Sequence, residues 1–492
     1  MHDFESRLRS LLAAVRRDPL DVGLSTTLSG WIDEHPGEFG AFLPAEALSF
    51  RNAPDREERR IRFLKHLLLH GYMPPRVEQV SGSAWQTRTI NLAVSTSYFY
   101  PNALSLLEAG LGREDVAVFV VSPQPLGDAS WIEAVSSLGH QRVQLQAALM
   151  LDEDGLVWRQ FEEPVPVHYL FPVDNYYRDK FRLVGEYGQW RVPMPGSQLI
   201  REVCENKLLL VDIVSGIPGL HLAHELQLAP TTGETAWIMA LDDFSARYQL
   251  AELVTKPVDG FGGSGVEFWR YPQDRPALIA WLREAFATTP MILVQGRIRP
   301  VPTRSGREWN LRQYVLRNGP EAVLAPWKRV RIGHGVINIT RGAGSSTTST
   351  LLEDLALEPE QLRAFEAALQ STDALAVAVL HSLEAYLVRH WGATEQLYHG
   401  LGSNLSADLL ALDFMIAPDP ARSGTYAVYL NEINDFASGG MRDYELLYHR
   451  EARPDADHIT ATESFALAPH ILTLAKWRGG AYQAALERLR PA

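Results

Sequence analysis

The chain has 492 residues, of which 46% are hydrophobic and 21% charged, a composition typical of a folded globular protein. Its formal net charge of -13 argues against a nucleic-acid binder, and its single cysteine excludes an internal disulfide and a cysteine-rich metal site. Single cores stop growing at roughly 250 to 300 residues, which predicts two or three domains. No uncharged apolar run approaches the roughly 20 residues that cross a bilayer, and the first residues lack the apolar core of a signal peptide. We therefore expect a cytoplasmic protein without a membrane partner.

The hydrophobic pattern divides the chain into three regions. Residues 1–84 have apolar side chains at spacings of three and four, which predicts a helical extension for packing or for a homodimer. Residues 85–196 alternate strand-like and helix-like runs, which predicts an α/β lobe. Residues 197–492 alternate further strands with helices, including two helices between about 358 and 391. The expected fold class is a multidomain α+β or α/β protein.

A glycine-rich segment follows a predicted strand in the third region. Lys256 stands at the end of that strand, and the glycines Gly260, Gly262, Gly263 and Gly265 come shortly after it. Glycines let backbone N–H groups approach an anion closely, and successive N–H groups in a turn form a concave anion site. The lysine adds a positive charge for phosphate. The segment predicts a nucleotide triphosphate site, and the alternative is a β-hairpin turn that binds no ligand.

The same segment matches the G-x-G-x-x-G string of dinucleotide-binding folds and protein kinases, which is a weak signal on its own. A dinucleotide site expects an acidic residue on the next strand about 20 residues later, and the next predicted strand, MILVQGRI, has none. A kinase expects an HRD-like loop and a DFG sequence, and the chain contains neither. Both classes are therefore disfavoured.

Two predicted strands near the end of the third region carry oxygen ligands. Asp413 lies in LLALDFMI, whereas Glu432 and Asn434 lie two apart in YAVYLNEIND and so project from one face of their strand. A neighbouring strand could aim Asp413 at the same point. Mg²⁺ takes hard oxygen ligands when it is shared with nucleotide phosphates. We therefore predict a magnesium site, with ordinary salt-bridged acids as the alternative.

Basic and amide side chains lie between these two segments. They are Arg312, Lys328, Arg329, Arg331, Asn338 and Arg341. Arginines beside a Gly/Ser/Thr-rich loop can bind a phosphate or a carboxylate through two parallel hydrogen bonds. The alternative is a solvated hairpin face.

In this order, the segments resemble the ATP-grasp superfamily, in particular the amino-acid ligases that modify ribosomal proteins and the small-peptide ligases. The resemblance covers roughly residues 197 to 450, and residues 85–195 resemble the α/β lobe that precedes the grasp domains. It implies an ATP-grasp fold that follows a pre-ATP-grasp lobe and an N-terminal helical extension. It also implies ATP and Mg²⁺ as cofactors, with Mn²⁺ as a substitute for the metal.

The resemblance also implies roles for individual residues. The ATP-binding residues would be Lys207, Lys256, the lid residues Gly262, Gly263, Ser264 and Gly265, and the adenine hinge residues Gln295 and Ile298. The catalytic arginines would be Arg312 and Arg341, and the metal ligands Asp413, Glu432 and Asn434. The chain departs from the family where Gln295 replaces a common acid, at Ala343, and in the segment after Asn434.

The implied activity is the ligation of a carboxylate to an amine. The terminal phosphate of ATP moves to the carboxylate, and the amine then displaces phosphate, which gives an amide, ADP and phosphate. The implied substrates are small molecules, amino acids or short peptides, in a specialised biosynthetic pathway. Two alternatives stay open: a phosphotransferase or thiol-directed ligase on the same fold, and a nucleotide-binding protein without catalysis.

Overall fold

The structure is a computed structural model. The residues that it describes are 2–17, 21–40, 65, 68–69, 71–73, 75–86, 89–95, 101–121, 132–137, 140–172, 193, 195, 198–258, 263–319, 321–335, 337, 343–398, 407–435, 447–448, 451–452 and 467–488.

The helices of these residues are α1 (His2–Arg17), α2 (Val22–Glu34), α3 (Pro36–Gly40), α4 (Pro101–Gly110), α5 (Gln198–Glu205), α6 (Leu210–Val214), α7 (Glu234–Tyr248), α8 (Arg275–Ala285), α9 (Thr348–Asp354), α10 (Pro359–Tyr398) and α11 (Ala468–Arg488). The first strands are β1 (Arg76–Val80), β2 (Ile90–Ser95), β3 (Val116–Val121), β4 (Ile132–Ser137), β5 (His140–Asp152), β6 (Gly155–Pro166) and β7 (Tyr169–Pro172). The later strands are β8 (Leu220–His221), β9 (Glu225–Leu228), β10 (Glu252–Pro257), β11 (Glu267–Arg270), β12 (Ile292–Gly296), β13 (Glu308–Asn318), β14 (Glu321–Leu324), β15 (Arg329–Gly333), β16 (Gly344–Ser346), β17 (Leu409–Pro418) and β18 (Tyr426–Asp435).

The N-terminal sheet has the strand order β1-β6-β5-β3-β2-β7, with β4 paired to β5. Strand β2 pairs in parallel with β3 and β7, whereas β5 pairs antiparallel with its neighbours. Helix α4 packs on β3, and α11, from the end of the chain, packs on β2, β3 and β7. Buried apolar residues of both helices belong to the core of this sheet. The lobe therefore takes β1 and α11 from outside residues 85–196.

The four-stranded sheet has the order β11-β10-β12-β9, and all of its pairs are antiparallel. Helices α7 and α8 cover one face, where they form a separate apolar core with strand residues such as Leu253 and Val294. Because strand side chains alternate between faces, the residues between these apolar ones project from the other face. We call that other side the open face of the four-stranded sheet.

The C-terminal sheet has the order β16-β15-β13-β17-β18-β8, with β14 paired to β13. One face packs on the 40-residue helix α10. The prediction of two helices in this stretch is wrong, because the polar segment around Ser371 and Thr372 continues the helix. Their hydroxyl groups donate to the carbonyl oxygens of Ala368 and Leu369 at 2.7 and 2.6 Å, so the side chains are satisfied within the helix.

The three sheets and their helices confirm the mixed α/β class predicted from the sequence. Among the described helices, none is both long and apolar enough to span a membrane.

Candidate functional site

The open face of the four-stranded sheet carries the first part of the site. Val254 pairs with Gln295, and Gln295 pairs in turn with Glu225, so these side chains project from the same face. Lys256 lies two residues after Val254 and therefore shares that face. The predicted hinge residue Gln295 is buried, and its side chain hydrogen-bonds to the carboxylate of Glu225.

The glycine loop joins β10 to β11 as a β-hairpin. Among its described residues, Gly263 and Gly265 have φ values of 78° and 68°, a backbone conformation that favours glycine. A Cβ atom at Gly265 would lie 2.7 Å from Cγ of Pro257. Ser264, between them, is exposed. The loop needs glycine for its backbone geometry, which fits the predicted phosphate lid as well as a hairpin without a ligand.

Two lysines lie at the base of this loop. Lys207, in a short 3-10 turn before α6, donates from Nζ to the backbone oxygen of Val258 at 3.2 Å. Lys256 donates from Nζ to Oδ1 of Asn431 on β18 at 2.9 Å. Burial, together with the positive charge of Lys207, lowers the pKa of Lys256 to about 8. The four-stranded and C-terminal sheets therefore meet at a lysine whose pKa is lowered to about 8.

A β-bulge in β18 places Asn431 beside Glu432. Asp413 pairs with Glu432, but the residue after Asp413 pairs with Leu430, so Asn431 is the extra residue. Leu430 and Ile433 both pack in the core beneath α10. The two residues between them therefore point to the opposite side, where the lysine of β10 approaches. The bulge thus presents two consecutive polar side chains to the glycine-loop strand.

Two buried arginines hold Asp413. Its register partner Arg312 donates from Nε and Nη2 to the two carboxylate oxygens at 2.6 and 2.9 Å. Arg331 forms an ion pair with Oδ2 at 2.7 Å, and its Nε donates to Oδ1 of Asn310 at 2.8 Å. Burial alone would raise the pKa of Asp413, but the two guanidinium groups hold it below its ordinary value. The carboxylate is therefore ionised and fully engaged by cations.

Glu432 and Asn434 fit a magnesium ion by the chemistry of their oxygens. The side chain of Glu432 is half-buried, makes no hydrogen bond within the described part of the chain, and interacts electrostatically with Lys256 and Arg312. Asn434 lies on the same face and donates from Nδ2 to the backbone oxygen of Ala411 at 3.3 Å, which leaves its Oδ1 for a ligand. The described residues contain no group of three His, Cys, Asp or Glu side chains that could hold a metal. A metal here would need the amide oxygen as well as carboxylates.

The structure thus brings most of the predicted site residues to one region, where the two sheets meet. Ile298 is half-buried just after β12. Gly262 and Arg341, together with Asn338, lie outside the described residues.

Sequence reasoning missed two residues of this region, Asn431 and Glu225. Asn431 stands next to Glu432 in the sequence, but regular alternation would turn it to the other face, and a bulge leaves no mark in the sequence. Glu225 had a signal, because it is an acid in a short apolar strand directly across from the hinge.

Comparisons with known proteins give matches by structure alone. No protein-family model matches the chain, and no curated protein matches its sequence. The D-alanine-D-alanine ligase from Coxiella burnetii is 13% identical with a TM-score of 0.44, covering 81% of this chain and 98% of that chain. The Chryseobacterium gregarium RiPP-associated ATP-grasp ligase, in complex with ADP and a leader and core peptide, is 13% identical with a TM-score of 0.41, covering 79% and 96%.

Both of these solved structures are ligases, and the second is named an ATP-grasp ligase. A third is the VanG D-Ala:D-Ser ligase from Enterococcus faecalis, which is 13% identical with a TM-score of 0.44 and covers 78% of this chain and 100% of that chain. With TM-scores below 0.5, this likeness assigns neither a substrate nor an activity to the chain. Both have to be inferred from its own side chains.

Proposed function

We propose that the chain is an ATP- and Mg²⁺-dependent ligase that joins a carboxylate to an amine. The contact that supports this most directly is the one between Lys256 and Asn431, because it brings the glycine-loop strand to within 2.9 Å of the bulge that carries Glu432. A candidate phosphate loop and a candidate metal ligand thus lie close together. A bound nucleotide triphosphate needs both, since its phosphates carry negative charge and share a magnesium ion.

In the first step of this proposal, the terminal phosphoryl group of ATP moves to a carboxylate oxygen of the substrate. The bond to the β-phosphate oxygen breaks, and the products are an acyl phosphate and ADP. Lys256 and Arg312 offset the negative charge spread over the transferring group. Such transfer depends on positioning and electrostatics, so the first step needs no base from the protein.

In the second step, an amine attacks the carbonyl carbon of the acyl phosphate. The bond from that carbon to the phosphate oxygen breaks, phosphate leaves, and the nitrogen loses a proton as the amide forms. An acyl phosphate hydrolyses easily, so water has to be kept out while the amine binds. Closure of the glycine loop over the bound nucleotide would provide that exclusion.

Glu432 and Asn434 would hold the metal, which when bound neutralises and orients the phosphates. Asp413 remains a predicted ligand, but a metal there would compete with Arg312 and Arg331 for the same two oxygens. Its contacts have a second consequence, because they fix both guanidinium groups in place beside Glu432. Fixed guanidinium groups suit an anionic substrate group such as a phosphate or a carboxylate.

The test of this function is ADP release from ATP and Mg²⁺, screened over amino acids, short peptides and small carboxylic acids, with and without amines. A parallel series replaces the amine with hydroxylamine, which converts an acyl phosphate to a hydroxamate. We expect an amide where acid and amine are both present, and a hydroxamate from the same acid. Glu432→Ala should lower turnover by roughly 100-fold or more.

Other products would point to another activity. A phosphorylated hydroxyl acceptor would indicate a phosphotransferase, and a thioester would indicate a thiol-directed ligase. If the protein binds ATP but releases no ADP with any of the acids and amines tested, it is a nucleotide-binding protein without catalysis.

A further inference from the structure

The four-stranded sheet is joined to the C-terminal sheet by two short connections. Strand β8 belongs to the C-terminal sheet and β9 to the four-stranded sheet, so residues 222–224 form the first connection. The second connection leads from β12 back to β13. The two lie side by side, because the backbone N–H of Gly296 donates to the backbone oxygen of His224 at 3.0 Å. Strands β9–β12 with helices α7 and α8, which we call the four-stranded unit, are therefore covalently attached through one region.

The second connection is held at both ends, which leaves residues 298–300 between two anchors. The backbone N–H of Arg297 donates to the backbone oxygen of Glu252 in β10 at 3.1 Å, which holds one end to the four-stranded sheet. The backbone N–H of Val301 donates to the backbone oxygen of Ile416 in β17 at 3.3 Å, which holds the other end to the C-terminal sheet. A turn of one sheet relative to the other would therefore be absorbed at residues 298–300.

Four charged side chains cross this segment in opposite directions. Arg299 donates from Nε and Nη2 to the two carboxylate oxygens of Glu252, so it reaches back to the four-stranded sheet. Arg297 donates from Nη2 to Oε1 of Glu308 in β13, so it reaches forward to the C-terminal sheet. Nη1 of Arg299 lies 3.6 Å from the same oxygen of Glu308. We call these four residues the ionic clamp.

The ionic clamp is shielded from water more than an ordinary surface ion pair. The side chains of Arg297, Glu252 and Glu308 are 15%, 22% and 22% exposed, whereas Arg299 is 58% exposed. The guanidinium carbon of Arg297 lies 4.5 Å from the ring centre of Phe268 in β11. The hydrogen bonds from Arg299 lower the pKa of Glu252, so that carboxylate is ionised at neutral pH. Charges that share partners in this way form a network, which stabilises more than an isolated surface pair.

We propose that the ionic clamp holds the two sheets, before any nucleotide binds, in the arrangement in which Lys256 reaches Asn431. The clamp and the Lys256 contact lie at different places between the same two sheets, so a turn at residues 298–300 changes the geometry of both. A ligand then does not have to bring the sheets together, which raises its affinity. Arg297 and Arg299 are positioning residues, because they act on the candidate site through the orientation of a whole sheet. The clamp involves no nucleotide, so this inference goes beyond the proposed function and is tested without one.

Pulsed electron paramagnetic resonance measures the separation of the two sheets directly. Spin labels are attached at Met239→Cys on α7 and at Val388→Cys on α10, where the native side chains are 68% and 58% exposed. The native cysteine is removed by Cys204→Ala in every protein. Distances are recorded without nucleotide in this labelled background protein and in its clamp variants. The melting temperature of each variant shows whether it is folded.

The clamp variants are Arg299→Met and the double variant Arg297→Met with Arg299→Met. Methionine keeps much of the apolar stem of arginine but removes its charge. The matched control is Arg283→Met, because Arg283 is also 58% exposed and also binds a carboxylate through two hydrogen bonds. Its partner Glu234 lies within the four-stranded unit, so this pair does not cross between the sheets.

We expect one main distance between the labels in the background protein and in Arg283→Met. Arg299→Met should add a second population at a different distance, because one direction of the clamp is lost. The ratio of the new population to the original one should rise by about 5-fold, the upper end for a partly exposed ion pair. The double variant should enlarge the new population further.

The outcomes decide between the clamp and a general loosening of the protein. If the folded double variant keeps the single distance of the background protein, the clamp does not set the arrangement and the inference is wrong. An equally large new population in Arg283→Met would also overturn it, because a pair within one unit would then have the same effect. Should the double variant fail to fold, Arg299→Met decides alone, since its exposed side chain can be replaced at little cost in stability. None of these distances depends on ADP release, so failure of the clamp and failure of the proposed ligase activity are distinguished.

Discussion

At the residue scale, Lys256 should make nucleotide binding depend on pH. Its pKa of about 8 means that the ammonium group is charged at pH 7 and loses its proton as the pH rises through 8. Phosphates favour the charged form, so ATP affinity should fall between pH 8 and 9.5, by up to about 10-fold per pH unit. Calorimetric dissociation constants across this range check the expectation. Lys256→Arg keeps its charge and should show a flatter profile, whereas equal slopes in both proteins would assign the titration to another group.

Asp413 and Glu432 face each other in register, yet they should respond differently to substitution. Asp413→Asn leaves two buried guanidinium groups without their counter-charge, and breaking a buried pair in this way costs about 3 to 5 kcal/mol of unfolding free energy. Glu432→Gln removes no side-chain hydrogen bond within the described residues, but it removes a charge that interacts with Lys256 and Arg312, so it should cost less, about 1 kcal/mol.

Denaturant unfolding of the two variants measures this difference, and Mn²⁺ binding followed by electron paramagnetic resonance in the presence of ATP supplies the second readout. We expect Glu432→Gln to lose Mn²⁺ affinity while it stays folded. A Glu432→Gln protein that binds Mn²⁺ like the wild type would remove Glu432 from the metal site.

At the element scale, the bulge in β18 can be removed without a change of register. Deleting Asn431 would leave Glu432 opposite Asp413 and Leu430 opposite the next residue of β17, which is the pairing already present. Deleting Tyr429, outside the bulge, would instead turn the side chains beyond it to the wrong faces. We expect the first deletion to keep the fold and weaken ATP binding, because Lys256 loses its partner, and the second to unfold the sheet.

Circular dichroism and ATP titration of both deletions check this, with Asn431→Ala as a variant that keeps the bulge. If deleting Asn431 unfolds the protein while Asn431→Ala does not, the bulge is required for the stability of the sheet, and its role is not limited to placing a side chain beside Lys256.

The elements that the sequence predicted are those whose pattern is local. Strands β13, β17 and β18 follow from short apolar segments, and the two-residue spacing of Glu432 and Asn434 predicted their common face. The double ion pair of Asp413 was not predictable, because it depends on β13 and β15 lying side by side in a given register. Helix α10 was predicted as two helices, whereas its Ser/Thr segment continues the helix because the hydroxyl groups bond within it.

At the scale of the whole molecule, one buried carboxylate joins the first and last lobes. Asp408, just before β17, accepts hydrogen bonds from Nε and Nη2 of Arg478 on α11 at 3.1 and 2.7 Å. The hydroxyl group of Tyr169, on β7 of the N-terminal sheet, donates to its other oxygen at 3.3 Å. Burial raises the pKa of Tyr169, so the phenol stays protonated and remains a donor. The same strand, β17, carries Asp413, so this joint links the N-terminal lobe to a strand of the candidate site.

Arg478→Met should therefore destabilise both the N-terminal sheet and the C-terminal sheet, which meet at Asp408. It removes the guanidinium group from buried Asp408, at a cost of about 3 to 5 kcal/mol, while its apolar replacement keeps much of the packing of α11. Hydrogen exchange should become faster at Tyr169 and its neighbours in β7 as well as at the start of β17, because both strands meet at the same carboxylate. Arg247→Met is the matched control, since Arg247 forms an exposed pair with Asp243 whose loss should cost less than about 1 kcal/mol. If exchange becomes faster only in α11, the helix packs on both sheets but the Asp408 contact does not link the stability of β7 to that of β17.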